Sequence, residues 1–140
     1  MALSNQDLHN HLSAVPLFTG LTKKQRSRLI DAARDVQHHD GHEVAREGAG
    51  ALALHVVLEG YATVSVGTDK RRTLGPGDYF GEISLLDGRP RSATVVADGP
   101  LRTLAVPYVA FQAVLDSEPG VARALLVLLC HRLREAEARN

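Results

Sequence analysis

Between residues 41 and 106 short runs of β-type residues alternate with breaks of Gly, Pro and Asp, and this punctuation constrains the fold most. The runs are His42–Arg46, Leu52–Leu58, Tyr61–Val66, Arg72–Leu74, Ala93–Ala97 and Leu101–Val106. The breaks are Glu47-Gly48, Glu59-Gly60, Thr68-Asp69, Gly75-Pro76-Gly77-Asp78 and Asp98-Gly99-Pro100. Gly supplies positive φ, Pro presets φ, and Asp bonds its own backbone, so each cluster reverses or bends an extended chain. Many short strands at such spacing predict a sandwich, a jelly roll or a small barrel.

On both sides the pattern is helical, and the reading is one α+β domain over 1–140. N-terminal helices over 5–36 precede a β jelly-roll or barrel of about eight short antiparallel strands over 41–106, and a C-terminal helix pair fills 107–138. Leu8, Leu12 and Val15 recur at helical spacing before Pro16 interrupts. Thr22 followed by Gln25 has the shape of a capping box, and Leu29, Ile30 and Ala33 supply the apolar face behind it. Lys23, Lys24, Arg26, Arg28 and Arg34 face only Asp31, which reads as a solvated basic face. Pro107 suits a first helical turn, and Tyr108, Phe111, Val114 and Leu115 then share one face. After Pro119-Gly120 the last helix runs from about Val121 to Ala138. Its first half is apolar almost all round and is expected to be covered on more than one side, with Cys130 as packing. One of its rows, Ala122, Leu126, Leu129, Leu133 and Ala136, has heptad spacing, and Leu125 and Leu128 form another. The heptad row either packs on the barrel alone or, with one row against the barrel and one against a second copy, makes a homodimer through 121–138.

Composition narrows the function classes. Lys+Arg and Asp+Glu both number 16, so the net charge is zero. Holding DNA through its phosphates calls for a basic surplus, so no direct nucleic acid contact is expected. One cysteine excludes an internal disulfide framework and a Cys-cluster metal site. No basic start is followed by an apolar run, and Ala124 to Cys130 is far short of the roughly 20 residues that span a bilayer. The expectation is a cytoplasmic protein with no membrane contact.

The stretch Gly75 to Val95 carries the chemistry. A tight Gly-Pro-Gly-Asp turn leads to Phe80-Gly81 and a short helix-like piece from Glu82 to Leu86. A Gly at that point lets a ligand approach the backbone closely. The N–H groups of Gly81, Ile83 and Ser84 would form an anion site, and Arg91 adds a planar fork of donors matched to phosphate. Glu82 would be repelled by a buried phosphate. It fits a neighbouring hydroxyl donor such as a sugar OH, or else it complements a helix N-terminus.

Phe80-Gly81-Glu82-Ile83-Ser84-Leu85-Leu86 followed by Pro90-Arg91-Ser92-Ala93-Thr94-Val95 resembles the phosphate-binding cassette of cyclic nucleotide-binding domains. Those modules occur in bacterial catabolite regulators, cyclic-nucleotide-dependent kinases and gated channels. Val15-Pro16-Leu17-Phe18-Thr19-Gly20-Leu21 resembles the family's N-terminal helical motif, and Glu47-Gly48 and Val57-Leu58-Glu59-Gly60 match its Gly turns. The resemblance covers residues 8 to 135. It implies that Glu82 binds the ribose 2′-hydroxyl, that Arg91 pairs with the cyclic phosphate, and that amides around Gly81, Ile83 and Ser84 complete the pocket. Ser92 follows the arginine. The family's cGMP binders often carry Thr there and its cAMP binders Ala or Ser, so cAMP is favoured over cGMP. The last helix covers the purine in the family, with His131, Arg132 and Arg134 as candidate lids.

The implied function is a cyclic-nucleotide sensor that moves its C-terminal helix, acts on a protein partner and catalyses nothing. Two alternatives stand beside it. One is an interaction module that works without ligand. The other is the sensor part of a catabolite-activator-type transcription regulator without its helix-turn-helix, for which 140 residues leave no length. Metal binding is not expected: His9 and His11 fall on a helix, His38 and His39 read as turn residues, and Gly75–Phe80 lacks the histidine that a metal-binding cupin would place nearby. No Ser/His/Asp set or Cys/His pair is spaced for nucleophilic catalysis.

Overall fold

Capping boxes start both N-terminal helices. Ser4 and Asp7 exchange side-chain to backbone hydrogen bonds at the head of α1 (Asn5–Ala14). Thr22 and Gln25 do the same for α2 (Lys23–Ala32). Each box satisfies N–H groups that the first helical turn cannot pair internally. Between the two helices, Pro16–Phe18 forms one 3₁₀ turn. The computed structural model describes residues 3–46, 48, 53–87, 89 and 92–138, without the side chains of Ile83, Ser84 and Leu85.

Within these residues one antiparallel sheet of six strands curls into the barrel. Its strands are β1 (Arg34–His38), β2 (Glu43–Ala45), β3 (Ala53–Val66), β4 (Asp69–Leu74), β5 (Tyr79–Phe80) and β6 (Thr94–Pro107). The path is β1-β6-β3-β4, with β2 on β6 and β5 on β3. The short helix α3 (Glu82–Asp87) follows β5, and α4 (Tyr108–Ser117) and α5 (Pro119–Ala138) close the chain. This is the α+β jelly-roll architecture expected, with fewer and longer strands than the turn signals imply.

The difference in strand count has a local cause. Glu59-Gly60 and Asp98-Gly99-Pro100 read as turns, yet β3 and β6 run straight through them as facing bulges. The register shifts between Val57 and Glu59 and again between Glu59 and Tyr61. A one-residue slip changes which side chains face inward. Accordingly Leu54, Val56 and Leu58 face the helices, while Val57, then Ala62 and Val64, face the barrel interior. Gly60 has φ +86, and a Cβ there would lie 2.2 Å from the Pro100 carbonyl oxygen, so the two bulges nest only with glycine.

Helix does not continue to residue 36. It stops at Ala32, and Arg34–His38 pairs antiparallel with β6. The strand has little apolar patterning of its own; a distant segment, Leu101–Ala105, gives its backbone groups their partners. The Asp35 carboxylate accepts two 2.7 Å hydrogen bonds from Arg102. His38 is likewise not a turn residue: it ends β1, and its Nε2 lies 3.0 Å from Thr103 Oγ1.

Two apolar clusters result. One joins α1, the 3₁₀ turn, α2, α4 and the start of α5 to the outer face of the sheet, through Phe18, Leu29, Phe111 and Leu125. The other fills the barrel, through Val57, Val64, Leu74, Phe80 and Val95. α5 is less covered than its composition implies. Val121 and Leu125 are buried, but Leu126 and Val127 are exposed. Cys130, expected as packing, is exposed as well. The reason is that the first cluster takes up Val121 and Leu125 with part of Leu128 and Leu129, and most of the helix beyond them faces solvent.

Candidate functional site

The Gly-Pro-Gly-Asp turn is built to deliver β5 to the barrel. Asp78 Oδ2 accepts from the Gly75 N–H at 2.8 Å. The Val57 N–H donates to the Asp78 carbonyl at 2.8 Å, and the Gly77 N–H donates to the Val57 carbonyl at 2.9 Å. β5 then pairs with β3, His55 opposite Phe80, and the two rings stack at 4.9 Å. With Phe80 anchored, Gly81 turns at φ +99, a conformation that favours glycine, and α3 begins at Glu82.

Glu82 is 1% exposed. A buried carboxylate needs a partner, and Arg132 of α5 supplies it: Arg132 Nη1 donates to Glu82 Oε1. The Arg132 side chain is 34% exposed. Fifty positions apart in sequence, the two residues join the far half of α5 to the cassette. Arg132, one of the three candidate lids, is thus a partner of the very carboxylate assigned to the ribose.

Gly81, Glu82 and Ser92 line one cavity of about 40 Å³, with Phe80 and Val95 as apolar wall and Arg72 and Arg132 as its cations. The structure therefore brings together three of the six expected site residues. Ile83 and Ser84 lie in α3, adjacent in the chain, and their side chains are outside the description. Arg91 lies outside the described residues. Burial pushes the Tyr79 hydroxyl up to about 12, with the Glu82 charge acting in the same sense.

Sequence reasoning missed Arg72. It stands on β4 directly opposite Val64 of β3, and shares the inward face with Leu74. Alternation along Arg72–Leu74 was the signal that could have found it. Burial lowers its pKa from the usual arginine value, and the Arg132 charge adds to that effect. A second space of about 300 Å³ lies between β4 and α5, and Arg72 and Arg132 line both cavities. Among the described residues no group of three or more His, Cys, Asp and Glu side chains could hold a metal. His9 is buried in the helical layer beside Ser27 and Arg26.

A family model described as the cyclic nucleotide-binding domain matches residues 35–118. A cAMP-dependent protein kinase regulatory subunit from Hypocrea atroviridis is 30% identical over 114 residues, which are 81% of this chain and 25% of that protein. The Thermus thermophilus catabolite activator protein superposes with a TM-score of 0.77 at 33% identity, over 89% of this chain and 61% of that one. The regulatory domain of Toxoplasma gondii PKA with cAMP shares the fold, at a TM-score of 0.80 and 24% identity, over 93% of this chain and 49% of that one. The chain thus spans about a quarter of the curated relative and about half to three fifths of these two structures. With the cassette, the buried Glu82 and the jelly roll in agreement, the chain belongs to the cyclic nucleotide-binding domain family.

Proposed function

We propose that the chain is a regulatory, non-catalytic sensor domain for a cyclic nucleotide, with cAMP favoured over cGMP. The observation that carries the reading is Glu82, a buried acid directly after Gly81, facing a cavity and tied to a helix from the far end of the chain. In this reading Glu82 accepts from the ribose 2′-hydroxyl. Arg91 and the amides of Gly81, Ile83 and Ser84 take the cyclic phosphate, and Ser92 stands beside them. The preference for cAMP rests on Ser92 where cGMP binders often carry Thr.

The signal would leave through α5. A ribose hydroxyl and Arg132 share the Glu82 carboxylate, so a ligand that binds alters what holds the far half of the helix. A ligand shifts such an equilibrium only by its difference in affinity for the two positions. The exposed Leu126 and Leu133 supply a surface for a second copy through 121–138 or for a protein partner. A single domain over 1–140, acting in the cytoplasm without touching nucleic acid or membrane, completes the proposal. No helix among the described residues is long and apolar enough to cross a membrane.

Calorimetric titration with cAMP and with cGMP tests it. Heat of binding is expected with both and stronger binding with cAMP; no heat and no thermal shift at millimolar nucleotide overturns it. Arg91→Ala is expected to weaken binding roughly 10–150-fold, the worth of a hydrogen-bonded charge. One alternative has support of its own, since the exposed Leu126 and Leu133 also suit a module that docks a partner without ligand. The same titration separates the two.

A further inference from the structure

We propose that His55 is a positioning residue of the nucleotide pocket, held against Phe80 by a proton-sensitive chain of side chains that runs through Thr103 to His38 and His42. Nucleotide binding is thereby regulated by pH and weakens on acidification. This rests on the nucleotide reading above and adds a regulation of that site.

The chain crosses three strands on the inward side of the sheet. His38 ends β1 opposite Leu101, Thr103 of β6 lies opposite Val57, and His55 precedes Val57 by two residues on β3. Leu101 and Val57 face the barrel interior, and strand alternation puts His38, Thr103 and His55 on that side with them. Thr103 is fully buried, and its Oγ1 lies 3.0 Å from His38 Nε2 and 3.3 Å from His55 Nδ1. The His55 ring stacks on Phe80, 4.9 Å between centroids and 7° from parallel. Phe80 immediately precedes Gly81 and walls the cavity at Glu82. At the outer end His38 stacks at 5.2 Å on the exposed His42, which meets His39 edge-on at 5.2 Å.

A hydroxyl has one hydrogen to give and lone pairs to accept. Between two neutral rings Thr103 donates to one ring nitrogen and accepts from the N–H of the other. A proton added to His38 preserves that pattern. A further proton on His55 leaves Thr103 facing two donors, with the two charged rings 6.5 Å apart. Burial, and then the charges of His42 and His39, hold the His38 pKa below the ordinary histidine value. The described acids on the surrounding elements are engaged elsewhere. Asp35 and Glu59 face Arg102, Glu43 holds Arg46, and Glu82 holds Arg132. Asp40 accepts from the Gly99 N–H and Asp98 from the Thr63 hydroxyl. Tyr79, the titratable neighbour of Phe80, packs on the helical side.

A chain charged at both ends cannot keep both bonds to Thr103, and repulsion spreads the stacked rings. His55 then shifts on Phe80, and Phe80 shifts with it. The arrangement that holds Gly81 and Glu82 for a ligand is thus the one with neutral rings. A nucleotide that selects this arrangement expels protons on binding. By linkage its affinity falls as pH drops below about 6.5, the ordinary histidine value.

The experiment is calorimetric titration with cAMP at pH 7.5 and pH 5.5, where the chain without nucleotide is first checked to melt cooperatively. The Kd of the parent is expected to rise about tenfold between them, the effect of one linked proton over one pH unit. His38→Gln offers a donor and an acceptor at every pH, and is expected to remove most of that rise. His42→Gln, at an exposed position, removes less of it and decides if His38→Gln fails to fold. Parent and variants meet the same nucleotide, so its own ionisation cancels in the comparison. A parent Kd that does not change with pH overturns the assignment, and so does a rise that His38→Gln leaves intact. A parent that binds no cAMP at pH 7.5 overturns the sensor reading itself, an outcome seen before any variant is made.

Discussion

Two arginine–carboxylate pairs join distant parts of this chain, and they are built differently. Arg102 and Asp35 sit on neighbouring strands, β6 and β1, and meet through two parallel 2.7 Å hydrogen bonds. The β1–β6 ladder holds both residues, β3 holds Arg102 from the other side as well, and Glu59 stands 3.7 Å from the same guanidinium. Arg132 and Glu82 meet through one hydrogen bond between a buried acid and a helix whose last turns are exposed. The bidentate pair adds geometric specificity to a sheet that is already fixed. The single bond is a main tie between the end of α5 and the pocket. In the proposed reading the fork-to-fork pair stands in the fixed sheet, and the single-point pair stands where a ligand hydroxyl competes.

This contrast can be broken experimentally. The largest effect is expected at the pocket: Glu82→Ala should weaken cyclic nucleotide binding roughly 10–150-fold while the melting curve stays cooperative. Parent-like affinity would show that the buried acid merely anchors α5. Next in size is the fixed region. Gly60→Ala, in the bulge beside Glu59 and facing Pro100, should cost about 1–3 kcal/mol of stability, read by urea unfolding. An unchanged midpoint would mean that the nested bulges yield, and that this part of the sheet is not rigid.

The smallest effect is a pH dependence. The Arg102 hydrogen bonds hold the Asp35 carboxyl below the usual carboxylate range, against a smaller opposing push from burial. A depressed folded pKa contributes stability above the unfolded value of about 3.9 that is lost as pH falls through the folded value. Between pH 6 and pH 3 the parent should therefore lose about 2–4 °C more of its melting temperature than Asp35→Asn. Equal slopes would show that the bidentate pair adds no pH-dependent stability.

Much of the architecture was legible because its signals are local. The Thr22–Gln25 box, the Pro107 helix start and the break at Pro119 all lie within one turn of the boundary they set. Gly-Pro-Gly-Asp announced a tight turn for the same reason, since Asp78 caps the Gly75 N–H three residues away. β1 was illegible: Arg34–His38 has little periodicity, and its strand character comes from residues 101–105. The bulges at Gly60 and Gly99 were also misread. Composition cannot tell a reversal of the chain from a kink within a long strand when both need positive φ.

The site divides the same way. Gly81, Glu82 and Ser92 were legible as candidates because they fall in one contiguous segment of the chain. Arg72 and the Arg132–Glu82 pair were not, because cation and acid come from different elements and only the curl of the sheet brings them to one cavity.

By itself the sequence determined a helix-flanked β fold, neutral overall, with a contiguous segment that resembles the family's phosphate-binding cassette. These are properties of neighbours in the chain, where turn chemistry and capping act over three or four residues. Only the tertiary structure decided that Glu82 is buried and bound to α5, that Arg72 lines the same cavity as Glu82, and that Cys130 and Leu126 face outward. Burial and charge pairing are set by which surfaces the sheet and helices hide from water, and that depends on contacts between residues far apart in sequence.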